Sequence, residues 1–157
     1  MKAKSLKLLR SSITILTLLL FSACNKSGDS QNASGSFTWA WGGTNYTGNF
    51  KEAFLQSLGP TPIIVSGTGA AIPTAGTGPR ITVNSLNMGT YTLGGGITNY
   101  ISFIAPNGDN LQSTTGTLNI TANANSKLSG DFTATLINPV GQTSLLTGSF
   151  SNIKINF

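Results

Sequence analysis

The sequence predicts an all-β protein: a single antiparallel β-sandwich or barrel-like domain after a signal peptide and a short flexible tether. Three observations carry this. Apolar and polar residues alternate with a period of two through most of the chain beyond residue 36. Turn-forming residues punctuate those runs at short intervals. The length of 157 residues suits one domain, and no repeat or second domain is visible. Alternation with one wet face belongs to antiparallel sheets, whereas βαβ units would insert helical periods between the strands.

In chain order, the first segment is an address. Lys2, Lys4, Lys7 and Arg10 form a positive start, and Ile13 to Phe21 form an apolar run. Nine residues are too few for a spanning helix, which needs about 20. The small residues Ser22 and Ala23 then precede Cys24. Phe21-Ser22-Ala23-Cys24 resembles the lipobox of bacterial lipoproteins, with Phe21 where leucine is more usual. The resemblance implies removal of residues 1–23, a diacylglyceryl group on the Cys24 sulfur, and acylation of the new amino terminus. Two acyl chains anchor a protein stably where one does so only marginally. Cys24 is the sole cysteine, which excludes an intramolecular disulfide, and with no histidine in the chain a thiol there would lack its usual activating partner. The expected partner is therefore membrane lipid. The expected location is the bacterial cell envelope, at the outer membrane, on its periplasmic face or at the cell surface. Residues 24–36, the lipidated cysteine and a polar stretch without large apolar residues, read as a tether. The domain is expected over residues 37–157.

Within it, Phe37, Trp39 and Trp41 share one face of a strand. Ile81 and Val83 share another, and so do Leu118 and Ile120. Leu128, Phe132, Ala134 and Leu136 form a longer run, and Ile153, Ile155 and Phe157 close the series. Turns are expected at Gly42-Gly43, Gly59-Pro60, Asn107-Gly108, Ser129-Gly130 and Pro139 to Gly141. Phe150 and Ile153 fall out of phase, which predicts a bulge near Ser151-Asn152. Two segments depart from the pattern. Phe50, Phe54 and Leu58 are spaced for a short helix, and Gly67 to Pro79 read as a long loop.

The net charge of +5 misleads, because four cations lie in the first ten residues. Beyond Cys24, five scattered cations face four anions, which argues against a nucleic-acid partner. The absence of histidine removes the usual proton shuttle and imidazole metal ligand. Glu52, Asp109 and Asp131 are the carboxylates of the domain, and each fits a surface or turn position. The glycine-rich GTGAAI and TLGGGI lack the fingerprints of phosphate loops, and Asn107 to Asn110 lack the spaced acids of a calcium loop. No catalytic residue, metal site or cofactor is expected, and the chain is not expected to be an enzyme. Trp39 and Trp41 have two readings. They pack into the core with Phe37, or they form a stacking platform for sugar rings. The Thr-, Ser- and Asn-rich opposite faces suit either a plain soluble sheet or glycan contact.

The whole chain resembles a family of small all-β lipoproteins from Bacteroidota. The carrying segments are FSAC with its polar tether, FTWAWGGTNYTG (Phe37 to Gly48), GTYTLGG (Gly89 to Gly95), Thr115 to Leu136, and LTGSFSNIKI (Leu146 to Ile155). The resemblance implies an envelope lipoprotein fold and location and transfers no catalytic or binding residue. The expected function is a membrane-anchored binding or structural module. The alternative is a carbohydrate-binding lipoprotein that uses Trp39 and Trp41, with a glycan or an envelope protein as partner.

Overall fold

The computed structural model describes residues 35–55, 61–68, 77–94 and 98–156, among which there are ten strands and no helix. The signal peptide, Cys24 and the tether up to residue 34 lie outside the described residues. The strands are β1 (Ser36–Trp41), β2 (Thr44–Thr47), β3 (Phe50–Leu55), β4 (Pro62–Gly67), β5 (Gly78–Thr82), β6 (Gly89–Gly94), β7 (Tyr100–Ile104), β8 (Asn110–Ala124), β9 (Lys127–Ile137) and β10 (Thr143–Asn156).

The long strands β8, β9 and β10 form the spine, with β9 between the other two. From β10 the pairing runs through β3, β4, β5 and β7 to β8, which closes a seven-strand barrel. The β1–β2 hairpin extends β10 on one side, and β6 extends β8 on the other. A six-strand sheet (β2-β1-β10-β9-β8-β6) and a four-strand sheet (β3-β4-β5-β7) thus meet at two corners, so that sandwich and barrel are joined in one fold. The pairs are antiparallel except β3 with β10, where Lys154, Ile155 and Asn156 lie beside Glu52, Ala53 and Phe54.

Each corner is made by a strand that changes partner at a bulge. β10 pairs with β1 as far as Ser151 and with β3 from Lys154, and its register against β9 shifts between Phe150 and Ile153. Asn152 takes a φ of 52° there, a conformation that asparagine tolerates better than most residues. β8 leaves β7 after Gln112 and joins β6 from Thr115, with a shift between Ser113 and Thr115. A bulge bends a strand and leaves a backbone group without its ladder partner. A serine answers it at both corners. Ser113 Oγ accepts a hydrogen bond from Ile101 N at 2.9 Å, and Ser129 Oγ accepts one from Asn152 N at 2.9 Å.

The inward positions build the core. Phe37, Trp39, Ile64, Ile81, Ile101, Phe103, Leu118, Phe132, Leu136 and Ile153 are among its buried residues. Phe37 is its aromatic centre, 5.5 Å from the Phe150 ring, 5.9 Å from Phe132 and 6.2 Å from Trp39. β4 is buried on both faces: Ile64 points into this cluster, while its neighbours Ile63 and Val65 are buried outside it. Its unbroken Pro-Ile-Ile-Val run is the pattern of a strand covered on both sides.

Two local expectations are corrected. The helix-spaced segment around Phe50 and Phe54 is strand β3, held by β4 on one edge and β10 on the other. A spacing of four also keeps two residues on one strand face, and the tertiary pairing decides between the alternatives. Ser129-Gly130 is not a turn but lies inside β9. The reversal between β8 and β9 is at Asn125-Ser126, where both residues have positive φ (54° and 57°), as a two-residue type I′ hairpin requires. Gly130 has a packing role instead: a Cβ there would stand 2.7 Å from the Phe150 ring. The turns at Gly42-Gly43, Asn107-Gly108 and Pro139 to Gly141 form as expected, and the one expected at Gly59-Pro60 lies outside the described residues. The ends of the Gly67–Pro79 segment join β4 to β5, with Thr68 N donating to Thr77 O at 2.9 Å.

Candidate functional site

The wet face of the six-strand sheet carries two aligned rows of mostly polar side chains. Cross-strand register sets side chains of one face directly opposite one another, on strands about 4.8 Å apart. One row across β6, β8, β9, β10, β1 and β2 reads Thr90, Asn119, Asp131, Ser149, Thr38, Thr47. The next row, two residues along each strand, reads Thr92, Thr117, Thr133, Thr147, Ala40, Asn45. Ala40 is the one position of the twelve without a polar side chain.

The first row is partly knitted together. Thr90 Oγ1 donates to Asn119 Oδ1 at 3.5 Å, Asn119 Nδ2 donates to Asp131 Oδ2 at 3.3 Å, and the Thr38 and Ser149 hydroxyls are 3.3 Å apart. Over β9, β10, β1 and β2 the face forms an open groove of about 580 Å³. Its outward side chains are Thr38, Ala40, Asn45, Thr47, Asp131, Thr133, Thr147 and Ser149. The groove therefore offers hydroxyls, an amide and one carboxylate, with threonine methyl groups between them. Such a surface exchanges hydrogen bonds with a polyhydroxylated ligand, and it holds no nucleophile–base pair.

The tryptophans are elsewhere. Trp39 is 2% exposed, on the inward face of β1 and stacked on Tyr46 with ring centroids 5.7 Å apart. Among the described residues its Nε1–H has no hydrogen-bond partner, which costs about 1–3 kcal/mol. Trp41 is half-buried at the end of the same strand. It packs on Phe103 at 5.6 Å and donates from Nε1 to Ser144 Oγ at 3.0 Å. The two indoles thus present no common exposed face. Tyr91 and Tyr46 pack against the core, and Tyr100 is half-buried on β7.

The three carboxylates do not converge. Glu52 accepts from Asn156 Nδ2 at 2.6 Å on the β3–β10 seam. Asp109 accepts from Asn107 Nδ2 at 2.8 Å within the β7–β8 turn. Asp131 alone faces the groove. No group of three or more His, Cys, Asp or Glu side chains able to hold a metal occurs among the described residues. Cys24 lies outside them. No described helix is long and apolar enough to cross a membrane.

The fold and this surface define a closed β-barrel protein with a polar groove on its outer wall. Residues 76–154, half of the 157-residue chain, match the domain of unknown function DUF6252, and the chain belongs to that family. The matched part runs from the entry to β5 through most of β10 and so supplies all four strands that carry the two rows outside the β1–β2 hairpin, along with β5 and β7. Neither the curated proteins nor the solved structures contain a significant match.

Proposed function

We propose that this chain is a lipid-anchored, non-enzymatic protein of the bacterial cell envelope whose barrel binds a glycan along the polar rows of its large sheet. The observation that carries the binding half is the pair of cross-strand rows, in which eleven of twelve facing side chains are polar and eight bear hydroxyls. A sheet that needs only solubility can mix charges freely on its wet face. These two rows hold a single charge, Asp131, and their hydroxyls are aligned over a concavity. The glycan reading rests on the hydroxyl rows and not on the indoles, since Trp39 is in the core. The anchoring half is supported by the lipobox-like Phe21 to Cys24 and the apolar run before it.

Each half has its own test. Glycan-array binding of the domain should show oligosaccharide ligands, and Thr133→Val with Thr147→Val should weaken them at least tenfold while leaving the urea midpoint nearly unchanged. Binding untouched by this double substitution would remove the groove from the proposal. For the anchor, a palmitate analogue fed to cells should label the wild type and not Cys24→Ser, and label that survives the substitution would sink it.

A further inference from the structure

Asp131 is the single charged side chain in the two rows, at the third of six positions in its row. It is exposed, and among the described residues its side chain is held only by the Asn119 amide, at 3.3 Å from Oδ2. Among the described residues no cation lines the groove. Lys127 is at the start of β9, about 13 Å back along the strand. Lys154 lies beyond the β10 bulge, and Lys51 and Arg80 stand on β3 and β5. A carboxylate has acceptor sites for several donors, and Asn119 fills one of them. What remains is directed at whatever occupies the groove, between the hydroxyls of Ser149 and Thr133. Charge in a recognition surface sets which partners are admitted more than how tightly they bind. A free carboxylate among neutral hydroxyls disfavours uronates and sulfated sugars and favours a ligand that brings its own cation.

Resting on the glycan reading above, we propose that the groove is selective for amino-sugar polymers, with Asp131 accepting the protonated amine while the threonine and serine hydroxyls bind the sugar hydroxyls. The ligand class is a glucosamine-type oligosaccharide with free amines.

The test compares three probes by titration calorimetry at pH 6 and low salt: oligomers of glucosamine, of N-acetylglucosamine and of galacturonic acid. Wild-type protein should bind the glucosamine oligomer about three- to fivefold tighter than its acetylated counterpart, the size of effect one exposed ion pair gives. The galacturonate should be weakest. The preference should shrink as salt is raised. In Asp131→Asn the ratio between the first two probes should fall to near one. Equal affinity of the wild type for the two oligomers overturns the selectivity and leaves the glycan reading standing. A preference that persists in Asp131→Asn, or that requires added calcium, overturns Asp131 as its source. Failure of every probe to bind, with the fold intact by circular dichroism, overturns both readings.

Discussion

Two serines do similar work at unequal depth. Ser113 is 1% exposed and accepts the Ile101 N–H where β8 changes partner, whereas Ser129 serves Asn152 at the rim. Removing a buried acceptor strands its donor, while water replaces an exposed one. Ser113→Ala should therefore cost about 1–3 kcal/mol in urea unfolding, and Ser129→Ala clearly less. The tryptophans offer a second contrast. With Trp41→Phe, the remaining Trp39 should emit in the blue and resist acrylamide. With Trp39→Phe, the half-buried Trp41 should emit further to the red and be quenched. The alternation in Phe37-Thr38-Trp39 put the rings on one face and left open whether that face was the core or a platform. What alternation could not tell was that Trp41, in phase with Trp39, ends the strand and is only half covered.

At the scale of the element, the strands announced by alternation are present, along with the bulge between Phe150 and Ile153. The misplaced turn is instructive. Ser129-Gly130 has the composition of a reversal, but glycine is required there by the Asn119 carbonyl and the Phe150 ring on the two flanking strands, which local sequence does not record. Asn125-Ser126 makes the turn with two residues at positive φ. Serine is strained in that conformation and glycine is not. Ser126→Gly should raise stability by about 0.5 kcal/mol, the relief of strain being partly offset by the extra freedom of the unfolded chain. The Ser126 carbonyl, which accepts from Ile155 N at 2.9 Å, is retained. A lowered urea midpoint would contradict the strained turn. β3 was illegible for a related reason: its strand identity comes from β4 and β10 on either side, partners remote in sequence.

For the whole molecule, the groove was the least legible feature. The sequence shows Thr-, Ser- and Asn-rich faces opposite the apolar ones, but the alignment of such residues into rows depends on register across six strands. Register is a property of the assembled sheet, set by hydrophobic matching and the bulges. The assembled ring also predicts where the molecule opens. β9 is flanked along its length by β8 and β10, whereas the β3–β10 and β7–β8 seams are three residue pairs each. Native-state hydrogen exchange should find the slowest amides in β9 and faster, earlier opening at the two seams. Uniform protection around the barrel would contradict this. The parallel β3–β10 seam has a kinetic consequence as well. It joins Ala53 to Ile155, and β1 meets β10 across a comparable stretch of chain, so the contacts that complete the architecture have very large sequence separation. High contact order slows folding, to milliseconds or seconds for all-β domains. No stretch lacking β10 can finish the circuit, and stopped-flow refolding should show slow acquisition of the native Trp39 signal, paced by the meeting of the two ends.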